Sequence, residues 1–187
     1  MVLSDTYIRL GIRHDDLVSP CDDSQINPAS VNLTLGDTFL VPLPAGRSGI
    51  IELGDEVKYR RYKIDEGEVG FILNPGCFAL ATTRECVKLP DNLAAFVQGR
   101  SSIGRIGLTT QNAGFVDPGF HGHITLELVN EGPNSIILTP GYPVAQLVFF
   151  KSLPAEVPYC GKYVGQIEAT GSRMHMDKAA QRRDDNG

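Results

Sequence analysis

Two arginines and two serines, Arg100, Ser101, Ser102 and Arg105, crowd the segment QGRSSIGRIGL that runs from Gln98 to Leu108. The guanidiniums offer paired donors and the hydroxyls single ones, which is the equipment for gripping phosphate oxygens. Gly99 and Gly104 have the separation found in a P-loop, but Arg105-Ile106 stands where that motif needs Lys followed by Ser or Thr. Its magnesium-binding hydroxyl is therefore missing. The segment reads equally well as a polar helix or loop joining two strands.

A second group lies downstream in QNAGFVDPGFHGHITLELVN, from Gln111 to Asn130. A turn on Asp117-Pro118-Gly119 leads into a strand in which Ile124, Leu126 and Leu128 share one face, and His123, Thr125, Glu127 and Val129 the other. Glu127 thus sits in mid-strand among leucines. Its carboxylate is either solvated on an open sheet face or held in a cleft, where lost hydration raises its pKa for acid/base work. His121 and His123 suggest half of a metal site, but no third ligand is in range and a solvated turn is the simpler reading.

Such groups need a frame to hold them. Ser4 reads as the N-cap of a short helix with Ile8 and Ile12 on its apolar side, ending before Ser19-Pro20. Beyond it, short β-branched and aromatic runs recur: Ser30 to Leu35, Thr38 to Val41, Val69 to Leu73, Phe78 to Thr83, Ala94 to Val97, Ile124 to Val129, Ser135 to Leu138 and Val144 to Phe150. Turn formers such as Asn74-Pro-Gly76, Asp117-Pro-Gly119 and Pro140-Gly141 separate them. The pattern predicts a mainly β sandwich or barrel with minor helical segments.

The chain has 187 residues, 42% of them hydrophobic. Chains of this size hide roughly 70% of their unfolded surface, so one core suffices without disulfides or structural metal. We expect a single domain over residues 1–177 and a flexible tail over 178–187 (KAAQRRDDNG), which has no apolar anchor. A formal charge of -5 argues against a generic grip on nucleic acid. No long apolar run or signal-type N-terminus is present, so neither a membrane nor export is expected, and the cytoplasm is the expected compartment. Cys21, Cys77, Cys86 and Cys160 are irregularly spaced and are expected to be reduced and mostly buried.

Several blocks together resemble the dCTP deaminase family of the trimeric dUTPase superfamily: Leu3-Ser-Asp5, Asn27-Pro-Ala-Ser-Val-Asn-Leu-Thr-Leu-Gly36, Gly99-Arg-Ser-Ser-Ile-Gly-Arg105, Ala113-Gly-Phe-Val-Asp-Pro-Gly-Phe120, Leu126-Glu127, Pro143-Val-Ala-Gln-Leu-Val148 and Tyr159-Cys-Gly-Lys-Tyr-Val-Gly-Gln166. They occur in family order across most of the chain. The resemblance implies a dUTPase-like distorted β-barrel or jelly roll, assembled as a homotrimer with shared active sites. It also implies removal of the exocyclic amine of dCTP without zinc; neither H-x-E nor P-C-x-x-C, the marks of zinc deaminases, occurs here.

By the same resemblance Glu127 is the proton shuttle, Ser101 holds the attacking water, and Arg105 orients Glu127 and stabilises charge. Arg100 and Ser102 grip phosphates, with Gln146, Tyr159, Lys162 and Gln166 adding contacts to triphosphate or sugar. Phe120 stacks under the deoxyribose, and Gln111, Asn112, Ala113, Gly114 and Phe115 read the base through their main chain, beside Thr125 and Leu126. Magnesium arrives with the triphosphate and bridges its oxygens. Asn32 stands where the family usually has Asp, which weakens any role of that block in magnesium binding. The sequence A-G-F-V-D resembles the bifunctional, dUMP-forming type: small Gly114 leaves room for a second water and Asp117 orients it at the α-phosphate, supplying dUMP for thymidylate synthesis. Asp117 also fits a structural turn or a sugar-hydroxyl partner. A deaminase that stops at dUTP, a dUTPase alone and a non-catalytic nucleotide-binding regulator are the alternatives.

Overall fold

The computed structural model describes residues 1–46, 49–111 and 114–177. Helix α1 (Asp5–Asp15) opens the chain, followed by strands β1 (Val18–Ser19), β2 (Ile26–Asn27), β3 (Ser30–Pro42), β4 (Tyr59–Lys63), β5 (Phe71–Leu73), β6 (Phe78–Lys88) and β7 (Leu93–Gly99). The short helix α2 (Ser101–Gly104) precedes β8 (Leu108–Gln111), β9 (Phe115–Val116), β10 (His121–Asn130), β11 (Ile136–Leu138) and β12 (Pro143–Lys151). The fold is mainly β, as the punctuation by Gly and Pro predicts.

Among the described residues the main sheet runs β8-β10-β6-β3-β12-β7-β9, with β1 on β6 and both β2 and β4 on β3; β11 and β5 form a separate pair. The antiparallel strands curl into a half-barrel. Phe39, Leu33, Leu126, Leu128, Leu147 and Phe149 are fully buried inside it, each worth about 1.5–3 kcal/mol of burial. Phe39 stacks on Phe71 at 4.9 Å between ring centroids, which ties the small sheet to the large one.

Two runs read as separate strands, Ser30 to Leu35 and Thr38 to Val41, are one strand. Gly36 lies inside it because β3 passes so close to β6 that a Cβ there would sit 2.4 Å from Thr82 Cγ2. The pairing with β6 shifts register between Leu35 and Phe39 at the same place. Ser4 does stand at the N-cap of α1, but its side chain makes no capping hydrogen bond. The helix is held instead by fully buried Ile8. No helix among the described residues is long and apolar enough to cross a membrane.

The expectation that the cysteines are mostly buried is wrong. Cys77 and Cys160 are exposed and Cys21 and Cys86 half-buried, all with free thiols. Cys77 occupies a turn, its N–H bonded to Asn74 O at 3.1 Å, and Cys160 lies in the irregular segment after β12. Strand periodicity places neither side chain toward the core.

Candidate active site

Glu127 sits at the middle of β10, opposite Leu80 of β6 on one side and Gln111 of β8 on the other. The alternation expected from sequence holds: Ile124, Leu126 and Leu128 face the core while His123, Thr125, Glu127 and Val129 are half-buried. Leu126, expected near substrate, is fully buried on that core face and does not line the cleft. The Glu127 side chain opens into a cleft of about 530 Å³ that Gly114, Asp117, Phe120, Thr125 and Gln166 also line. Burial pushes its pKa above the ordinary carboxylate value of 4.5. No described residue gives its carboxyl a hydrogen bond or an ion pair. The choice between an open sheet face and a cleft thus falls to the cleft.

The turn before β10 sets one wall. Phe120 N–H bonds Asp117 O at 3.1 Å, and Gly119 takes φ +89°, a backbone state that suits glycine. A Cβ on Gly119 would also lie 2.6 Å from Pro158 Cβ, so the missing side chain lets the C-terminal segment dock. Tyr159 N–H then bonds Pro118 O at 2.8 Å, and its ring stands 6.2 Å from that of Phe120. Phe120 belongs to the core at 8% exposure and still borders the cleft. Asp117 is exposed at the cleft wall, and Gly114 adopts φ +63° beside exposed Phe115.

The C-terminal arm closes the other side. Gln166 and His123 exchange main-chain and side-chain bonds: His123 N–H to Gln166 O at 2.9 Å and Gln166 Nε2 to His123 O at 2.5 Å. The remaining amide oxygen, Gln166 Oε1, is buried with no partner. Lys162 does not line the cleft; its ammonium pairs with Asp177 at 2.5 Å. His123 Nδ1 lies 3.0 Å from Thr83 O, and His121 is exposed. Tyr59, Tyr163 and Thr170 to Ser172 also line the cleft; the sequence singles out Tyr163, within the Tyr159 to Gln166 block, and Ala169 to Ser172, loosely similar to the glycine-rich arm of dUTPases, but not Tyr59. Tyr59 was hidden in the charged run YRRYK, which lacks the apolar alternation that marks a strand.

The arginine–serine block builds a different cleft, of about 580 Å³. The exposed Ser101 and Ser102 open helix α2, and half-buried Arg100 precedes it, anchored by Nη1 to Pro143 O at 2.8 Å. Gln146 enters from β12, its Oε1 accepting from Ser30 Oγ at 3.1 Å. Thr110 Oγ1, in the same lining, is buried without a partner. Arg105 ends the block on the exposed surface and lines neither cleft. Among the described residues the two clefts have no lining residue in common: Ser101 lines one, Glu127 the other, and Arg105 neither. Gln111 is described through its backbone in β8, whereas Asn112, Ala113 and the tail 178–187 lie outside the described residues.

No group of three or more His, Cys, Asp or Glu among the described residues is placed to hold a metal ion. Asn27, Asn32, Ser101, Ser102, Thr109 and Gln146 give the arginine–serine cleft amide and hydroxyl oxygens without a carboxylate. That donor set fits magnesium whose charge is met by phosphate oxygens and water.

Residues 2–152 match the dCTP deaminase-like family. The chain belongs to that family. Relatives within it include the "dCTP deaminase, dUMP-forming" of Persephonella marina, 46% identical over 180 residues that make up 95% of this chain and 99% of that protein. A protein of the same name from a Sulfurihydrogenibium species is 48% identical, again covering 95% of this chain and 99% of its own. The crystal structure of 2'-deoxycytidine 5'-triphosphate deaminase from Agrobacterium tumefaciens superposes with a TM-score of 0.63 at 22% identity over 79% of this chain, which spans 48% of that longer one. That likeness shows a shared fold, the half-barrel described above.

Proposed function

We propose that this protein deaminates dCTP and hydrolyses the resulting dUTP to dUMP and pyrophosphate. The observation that carries the reading is the half-buried, unpartnered Glu127 carboxyl in one cleft with Asp117 and Gly114. Relatives of nearly the same length, named for dCTP deamination with dUMP formation, support it.

Glu127 takes a proton from water as the water oxygen adds to cytosine C4, and passes it to the ring nitrogen N3. A second transfer through Glu127 protonates the amine, the C4–N bond breaks, and ammonia leaves with dUTP behind. Ser101 holds the water, and Arg105 orients Glu127 and stabilises charge that develops in the tetrahedral intermediate. Both reach Glu127 from a neighbouring copy in a homotrimer; that the two clefts stay apart within one chain supports this sharing.

Arg100, Ser102 and Gln146 hold phosphate oxygens, with Tyr159, Gln166 and, once released from Asp177, Lys162 adding contacts from the arm. Phe120 packs under the deoxyribose, and the main chain of 111–115 reads the base. Magnesium would be held mainly by the triphosphate, beside the hydroxyl and amide groups that line the arginine–serine cleft, and would offset phosphate charge. Asp117 then orients a second water, in the room left by Gly114, for in-line attack at the α-phosphate. The folded domain spans residues 1–177 and works in the cytoplasm.

Incubating purified protein with dCTP and magnesium, then separating products by anion exchange, tests the reading. Ammonia, dUMP and pyrophosphate are expected. Accumulation of dUTP would leave a deaminase only, and hydrolysis of dUTP with dCTP untouched would leave a dUTPase.

A further inference from the structure

Thr125 and Glu127 point from the same face of β10, and a short backbone segment lies across that face. Thr170 N–H donates to Thr125 Oγ1 at 3.1 Å. Two residues on, Ser172 N–H donates to the phenol oxygen of Tyr59 at 3.0 Å. Arg61, on the same strand as Tyr59, pairs with Glu168 at 2.7 Å. Gly171 packs against the Tyr59 ring, where a Cβ would come within 2.4 Å of Cε2 and 2.7 Å of Cδ2. Tyr59, Thr170, Gly171 and Ser172 all line the cleft that holds Glu127.

These attachments are unequal. The Arg61–Glu168 pair is about half exposed on both sides, and such surface pairs hold little. Tyr59 instead gives the segment two things at one point, a hydrogen-bond acceptor and a flat apolar support that only glycine can approach so closely. The remaining titratable groups around the cleft are Asp117 from the turn before β10 and Tyr159 and Tyr163 from the arm; β6 contributes Phe78 and Leu80, and β7 Val97. None of these is a cation.

We propose that Tyr59 is a positioning residue for Glu127: its hydroxyl and ring hold Glu168–Ser172 as the outer wall of the cleft and so keep bulk water from the carboxyl that moves protons. The inference rests on the function proposed above for Glu127. Tyr59 touches no reacting atom; it acts through the wall. A looser wall admits water, hydrates the carboxylate, lowers the pKa of Glu127 and weakens it as a proton acceptor.

The test uses the full chain with Tyr59→Phe, which keeps the ring and removes the acceptor, and Gly171→Ala, which keeps the acceptor and forces the ring away. Amide hydrogen exchange of residues 168–173 is expected to quicken about fivefold in Tyr59→Phe, the size of one lost hydrogen bond. The Glu127 carboxyl, followed by carbon-13 NMR, should titrate at lower pH, and kcat for deamination should fall more than KM rises. Gly171→Ala should shift all three in the same direction. Unchanged exchange in Tyr59→Phe overturns the wall, and faster exchange with Glu127 titration and kcat unchanged overturns the positioning role. If Gly171→Ala does not fold, Tyr59→Phe decides alone. If the wild-type chain leaves dCTP untouched, the proposed function fails, while exchange and carboxyl titration still decide what Tyr59 does.

Discussion

Asn130 closes the strand that carries Glu127, and replacing it by alanine should destabilise the protein by a predictable amount. The side chain is completely buried. Its Nδ2 donates to Leu73 O at 2.9 Å and to Asn134 O at 2.8 Å, and its Oδ1 accepts from Gly132 N–H at 3.0 Å. It thereby pins β5, the turn after β10 and the end of β10 to one point. Truncation leaves two carbonyls and one N–H without these partners. The bond to Leu73 is fully buried and carries its full value, while the other two are partly buried and water can replace them in part. At about 1 kcal/mol for a buried bond and roughly half that for each of the others, the loss is about 2 kcal/mol. For a chain of this size that is a fall in Tm of about 4–8 °C. Differential scanning calorimetry at matched protein concentration measures it. Asn130→Asp keeps the acceptor but aims a carboxylate at two carbonyl oxygens, so it should fall further than alanine. A drop under about 1 °C in Asn130→Ala, or an aspartate variant as stable as wild type, would refute the reasoning.

Three further outcomes are expected. Glu127→Gln should lose deamination by roughly two to four orders of magnitude, the usual share of a positioned general acid/base. The same variant should be more stable than wild type at neutral pH: the fold favours protonated Glu127, so the stability it contributes is full at low pH and is lost as pH rises through its raised pKa. Chemical denaturation at pH 4 and pH 8 checks the sign, and kcat/KM for dCTP should have its acid limb above the ordinary 4.5. Gly119→Ala, at φ +89° and 2.6 Å from Pro158 Cβ, should cost about 1–3 kcal/mol and raise KM by displacing Tyr159, read by melting and steady-state kinetics. With iodoacetamide at pH 8, exposed Cys77 and Cys160 should label first, since burial and the nearby Glu85 push the Cys21 thiol up to about 11.

The face of β10 was legible because a two-residue period leaves little choice: with Leu126 and Leu128 inward, Glu127 has to point the other way. The Arg100 to Arg105 block stood out by its chemistry, although its residue types alone fit a polar connection between strands as well as a phosphate grip. Two things were not legible. Strand β4 carries Arg60, Arg61 and Lys63 beside its tyrosines, because an edge strand bonded only to β3 needs no apolar face; its pattern therefore carries no period. Nor does spacing along the chain tell how far Ser101 lies from Glu127. The two segments look adjacent in sequence, and α2 even packs on β8, the sheet neighbour of β10, yet each opens its own cleft. Phe120 shows the limit of a choice between core and site, since it is packed in one and borders the other.

The pairing of β3 with β12 also bears on how the molecule is made. Asn32 and Gln146 are register partners across these strands, and Ser30 hydrogen-bonds Gln146 over a separation of 116 residues. A chain emerging from the ribosome cannot complete the arginine–serine cleft until β12 has been synthesised, and β3 must wait with its central edge unfilled. At about 5–20 residues per second that wait lasts several seconds, long enough for Val31, Leu33 and Leu35 to meet other chains. Folding is then governed by the arrival of β12, and growth conditions that slow translation between β3 and β12 lengthen the period in which the nascent chain is open to aggregation.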